Sequence, residues 1–123
     1  MDVTPLIRRD AQVIQSYKGG IFKVSGQVYP TSILIMPERV LTLTDNHDLA
    51  PLAPYKDDID VLLYGTGERL VMPDQAFKKR VKEEYGIILE AMDNGAASRT
   101  YNVLMAEGRK VAAALTLPQP HKL

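Results

Sequence analysis

The stretch Ile59-Asp60-Val61-Leu62-Leu63-Tyr64-Gly65-Thr66-Gly67 decides the fold. Apart from Asp60, residues 59–64 are aliphatic or aromatic without alternation, so they read as a strand buried on both faces, closed by Gly-Thr-Gly. Such a strand belongs inside a sheet with helices over it. On its C-terminal side, Asp74 offers an N-cap after Pro73, and Phe77, Val81 and Tyr85 recur at a spacing of four, laying one apolar stripe along a helix that stops at Gly86. Residues 87–90 read as a short strand. A second helix is expected from Asp93 or Asn94 to Glu107, with Ala97, Tyr101 and Leu104 on one face and Gly108 just past its end. Residues 110–117 then read as a closing strand, and the tail 118–123 is expected to fray.

On the N-terminal side, residues 13–17, 20–24 and 27–35 read as strands of a hairpin or meander, separated by Lys18-Gly19 and Ser25-Gly26. Ser32-Ile33-Leu34-Ile35-Met36 lacks alternation, which suggests burial on both faces before Pro37 interrupts sheet pairing. Residues 42–56 are weakly patterned and read mostly as loop, with one helical turn around residues 49–52. The order of strands, then strand, helix, strand, helix, strand argues for an α/β domain with a sheet that is at least partly parallel. Ile33, Leu34, Ile35, Val61, Leu62, Leu63, Val81, Leu104, Val111 and Ala113 are expected to meet in one core.

The 123 residues suit a single domain spanning 1–123, with its core at about 12–117. Apolar residues are 46% and charged residues 24%, a balance that supports a packed core. Fifteen Lys plus Arg offset fifteen Asp plus Glu, which removes the global electrostatic argument for a nucleic-acid or membrane-surface binder. The absence of Cys excludes disulfides, thiolate catalysis and Cys-based metal sites, leaving His47 and His121 for metal or proton chemistry. The first ten residues lack the apolar run of a signal peptide, so a cytoplasmic address is expected, without direct membrane insertion.

Residues 59–67, Gly86-Ile87, Met92, Ala97-Ser98-Arg99-Thr100-Tyr101-Asn102-Val103-Leu104, Glu107-Gly108-Arg109 and Val111-Ala112-Ala113-Ala114-Leu115 together resemble a family of small α/β domains of largely unknown function. That family includes a mitochondrial respiratory complex I assembly factor and an adipogenesis-associated domain protein. The resemblance runs from the region of Tyr17 and Gly20 to Leu117. It implies three layers: a central mixed sheet of about five strands, helices on one side, and a β-hairpin with a helix on the other. Relatives commonly carry a Trp in the segment matching residues 42–48, and this chain has none. The resemblance implies an assembly partner and no shared catalytic activity.

The residues offer few chemical sites. Gly65-Thr66-Gly67 follows a strand as a phosphate-binding turn would, but the third glycine of a dinucleotide fingerprint is replaced by Leu70, and no P-loop ending follows. A tight structural turn is the simpler reading. Arg99 and Asn102 are three apart on one helix face and Arg109 lies just past its end, so the three offer donors to a carboxylate or phosphate. The competing reading has Arg109 at the helix C-terminus and Asn102 bonded to neighbouring backbone. The binding candidates are therefore Gly65, Thr66, Gly67, Arg99, Asn102 and Arg109, with no catalytic residue, metal site or cofactor assigned.

His47, between Asp45 and Asp48, reads as part of a solvated acidic loop. Lys78-Lys79-Arg80 and Lys82 read as a solvated helix face, with Lys79–Glu83 and Arg80–Glu84 pairs and no aromatic platform for bases. The expected function is a non-enzymatic interaction domain whose partner is a protein, such as a subunit of a membrane complex, and which assists assembly. A small-molecule or anion binder, or an enzyme, using the Gly65, Arg99, Asn102 and Arg109 region is the alternative.

Overall fold

The computed structural model describes residues 11–119. Its centre is β8 (Val111–Leu115), all five residues of which are buried. The run Ala112-Ala113-Ala114 suits this position, because small side chains let layers approach closely on both faces of the strand. β8 lies between β4 (Ile33–Met36), antiparallel to it, and β6 (Val61–Gly65), parallel to it. β7 (Ile88–Met92) pairs in parallel with β6 at one edge, and β5 (Arg39–Thr42) pairs antiparallel with β4 at the other. The mixed sheet therefore runs β5-β4-β8-β6-β7. The strand built on Ile59 to Tyr64 is interior, as its apolar faces require.

Two crossovers then fix the layers. From β6 the chain passes through α1 (Gln75–Tyr85) to β7, and from β7 it returns through α2 (Asn94–Ala106) past β6 to β8. Crossovers between parallel strands are right-handed, so reversing direction across the sheet places the two helices on opposite faces. The buried residues divide accordingly. Phe77 and Val81 of α1, with Leu49 and Leu52, pack on Leu34, Leu62, Tyr64, Ala112 and Ala114. Ala97, Tyr101 and Met105 of α2 pack on Ile33, Ile35, Leu63, Val111, Ala113 and Leu115, together with Phe22 and Val24.

Phe22 and Val24 come from a separate antiparallel sheet of β1 (Ile14–Lys18), β2 (Ile21–Val24) and β3 (Gln27–Tyr29). Gly19 and Gly20, at φ 61° and 75°, form a two-residue hairpin turn that needs positive φ at both positions. The architecture is thus a three-layer α/β domain: α1 with the 3-10 helix Ala50–Asp58 on one side, and the meander with α2 on the other.

Four expectations need correction. The ten predicted core residues do not share one core, because a period of two sends Leu34 and Leu62 to one face and Ile33, Ile35 and Leu63 to the other. Residues 27–35 are not one strand: β3 stops at Tyr29, and β4 begins at Ile33 in the other sheet, the intervening Pro30 having no N–H to pair. The run through Met36 does stop before Pro37, which sits with Glu38 in a turn, but beyond that turn residues 39–42 form an edge strand absent from the sequence reading. The helical turn near residues 49–52 is a nine-residue 3-10 helix.

Both α-helices carry the expected caps. Asp74 Oδ1 accepts the Ala76 N–H at 2.9 Å and Gly86 adopts φ 71°, while Asp93 Oδ1 accepts the Ala96 N–H at 2.8 Å. On α2 the apolar face is completed by the buried Met105, with Leu104 only partly covered. The tail expectation from residue 120 onward, His121 included, lies outside the described residues.

Candidate functional site

At the carboxyl ends of β6 and β8 the chain builds a buried polar knot around Asn94, the first residue of α2 and fully buried. Its Nδ2 donates to the Thr116 carbonyl at 2.8 Å, and its Oδ1 accepts the Gly67 N–H at 3.2 Å. Its own N–H donates to the Gly67 carbonyl at 2.8 Å. Thr116 Oγ1 donates to the Gly65 carbonyl at 2.6 Å, and Ser98 Oγ donates to the Asn94 carbonyl at 2.8 Å.

Gly65 is the residue on which this packing turns. A Cβ there would meet Asn94 Oδ1 and would lie 3.2 Å from Leu115 Cδ2. Gly67 turns at φ 111° with open space around it. Thr66 holds the next segment: its N–H donates to the Met92 carbonyl at 2.8 Å, its hydroxyl donates to the Arg69 carbonyl at 2.6 Å, and the same oxygen accepts the Val71 N–H at 3.0 Å. Carboxyl ends of parallel strands are where open α/β sheets commonly hold ligands. Here the donors and acceptors bind one another.

The six sequence candidates do not gather in one place. Asn102 reaches across to the meander, where its Oδ1 accepts the Ile14 N–H at 3.0 Å and its Nδ2 donates to the Ile14 carbonyl at 2.8 Å. Arg99 is exposed one turn earlier on α2. Arg109 is at the far end of the sheet from Gly65, since its neighbour Lys110 bonds to Asp60 and Val61 at the start of β6, and a five-residue strand spans roughly 16 Å. Asn94 and Thr116 carry the knot and were not singled out from the sequence. The available signal was a strand ending directly before Asp93-Asn94, with one of that pair capping the helix and the other turned inward.

On the α1 side, Tyr64 donates its hydroxyl to the Asn46 carbonyl at 2.8 Å and meets the Phe77 ring edge-on at 5.3 Å. Burial, with the Asp45 charge second, pushes its phenol up to about 12. His47 is exposed, with Nδ1 3.9 Å from Asp45 Oδ1 and its ring against Phe77. Lys79 and Glu83 form the expected exposed pair at 3.8 Å, whereas the Arg80 guanidinium lies 5.7 Å from the Phe77 ring centre. Among the described residues, no helix is long and apolar enough to cross a membrane.

Residues 14–116 match the family described as "Protein of unknown function (DUF498/DUF598)". The chain belongs to this family. Its match in the DUF498 family covers every strand and helix described above, and confirms the family resemblance seen in the sequence. An uncharacterised protein of Rhodobacter capsulatus is 36% identical over 107 residues, 87% of this chain and 85% of that protein. The NADH dehydrogenase (ubiquinone) 1 alpha subcomplex assembly factor 3 of Xenopus tropicalis is 29% identical over 132 residues, 95% of this chain and 68% of that protein. The crystal structure of an outer membrane protein from Bartonella henselae superposes with a TM-score of 0.75 at 32% identity, covering 86% of this chain and 94% of the other.

Proposed function

We propose that this DUF498 domain works by binding another protein rather than by catalysis, and that it assists the assembly of a larger complex. The observation that carries this reading is the segment Leu70-Val71-Met72 between β6 and α1. These three consecutive large apolar side chains are 55%, 61% and 63% exposed. The hydrogen bonds of Thr66 to Arg69 and Val71 hold the segment in place, so little ordering is left for a partner to impose. Each such side chain contributes about 1.5 to 3 kcal/mol when it passes from water to full burial. A displayed apolar run of this kind is characteristic of interaction surfaces.

The names of relatives support the assembly part, since assembly factors are among them. On this reading the partner is a subunit of a membrane complex, met in the cytoplasm. Leu70→Ser combined with Met72→Ser tests it. The melting temperature should hold, because both side chains are exposed, while coprecipitation of a discrete protein partner from source cells is lost. Coprecipitation equal to wild type contradicts the reading.

A further inference from the structure

A cavity of about 400 Å³ opens at the end of the sheet away from the Asn94 knot. Its floor is apolar: Met36, Ile59, Met105 and Val111. Its mouth carries three cations from separate places in the chain, Arg39 at the start of β5, and Arg109 and Lys110 between α2 and β8. We propose that this cavity binds a small aliphatic carboxylate, with the carboxylate at the Arg39, Arg109 and Lys110 mouth and the aliphatic body over the methionine-lined floor. This inference is independent of the role given to Leu70-Val71-Met72.

The volume lies at the small end of the range for ligand pockets, and the lining is divided about evenly between apolar and polar surface, as a ligand with a charged head and an apolar body requires. Arg39 is placed before any ligand arrives. The Arg39 guanidinium rests 3.9 Å from the centre of the Tyr55 ring, a cation–π contact that restricts its rotamers. The backbone that presents Arg109 is fixed by its N–H bond to the Leu104 carbonyl at 2.9 Å, beyond a Gly108 at φ 79°.

With more cations than carboxylates in its lining, the cavity favours an anion. Guanidinium groups suit carboxylates because two parallel N–H donors match the two oxygens. Glu38 and Asp58 also line the cavity, and they oppose a dianion more than a monoanion. The two methionines, unbranched and adaptable, fit an aliphatic chain of loosely defined shape.

The test is amide-resolved NMR titration of the full chain with octanoate, with octanol and inorganic phosphate as separate arms. Octanoate should give saturable shifts at residues 108–111 and at Arg39, and both other probes should bind about tenfold more weakly or worse. Arg109→Gln combined with Lys110→Gln should weaken octanoate about tenfold without lowering the melting temperature, since both side chains are exposed, and Arg39→Gln should do so independently. Absence of saturable shifts, shifts centred elsewhere, equal binding by the variants, or equal binding of octanol or phosphate overturns the proposal.

Discussion

Asn102 and Ile14, 88 residues apart in sequence, exchange two hydrogen bonds: the Asn102 carboxamide satisfies both the N–H and the carbonyl of Ile14. A single side chain thereby stands in for a neighbouring strand and fastens the meander to α2. The bond pair lies at a β-bulge, where the register of β1 against β2 shifts between Ile14 and Ser16. Asparagine fits because it presents one donor and one acceptor in one plane.

Asn102→Ala should therefore destabilise the domain in the absence of any ligand, by about 1 to 3 kcal/mol, because two backbone groups of a buried residue lose their partners. Asn102→Asp should also destabilise, since a carboxylate keeps the acceptor but sets a second oxygen against the Ile14 carbonyl. Chemical denaturation with an unchanged slope is the check, and wild-type stability in Asn102→Ala would contradict the clamp.

Gly65 and Asn94 should behave as a coupled pair. Gly65→Ala forces a methyl against Asn94 Oδ1 and should cost about 1 to 3 kcal/mol as overpacking. Asn94→Ala should cost a similar amount, on the order of 1 to 3 kcal/mol, by leaving the Gly67 N–H and Thr116 carbonyl unpaired. In the double variant the clash disappears with the carboxamide, so its loss should fall short of the sum by about 0.5 kcal/mol or more. Strict additivity in denaturant melts would show that the two residues do not constrain each other.

Tyr64 gives a pH signature. Its hydroxyl is held neutral by burial and the Asp45 charge, with the phenol raised from 10.0 to about 12. The folded state therefore keeps a proton that the unfolded chain releases. This contribution is complete below pH 10 and is lost as pH rises from 10 through 12. Burial and the nearby Glu84 also raise Tyr85, so spectrophotometric titration should show a late-ionising component that Tyr64→Phe reduces by one tyrosine. The substitution should also cost about 0.5 to 1.5 kcal/mol near neutrality through the lost bond to Asn46. Ionisation of all tyrosines near pH 10 in the folded chain would contradict the burial described.

Much of this fold is legible in local chemistry. Asp74 and Gly86 bracket α1, and Asp93 and Gly108 bracket α2, because caps are chosen by residues within one turn of the helix end. The apolar run through Tyr64 announces an interior strand for the same local reason. What was not legible depends on distant partners. Arg39-Val40-Leu41-Thr42 becomes a strand because β4 lies beside it, and Pro37 marks a turn only once that pairing exists. Asn94 resembles any polar residue at a helix start until Gly65, Gly67 and Thr116 are brought against it. Arg109 belongs with Arg39 at one end of the sheet, a pairing that no sequence spacing suggests.

The most direct test of the interaction role is photocrosslinking in source cells from a benzophenone side chain placed at Val71, with Lys23 on the exposed side of β2 as the control position. The account predicts a discrete covalent adduct with one protein partner from position 71 that is absent from position 23 and disappears in the Leu70→Ser, Met72→Ser background. No discrete adduct from position 71, or the same adducts from both positions, would contradict it.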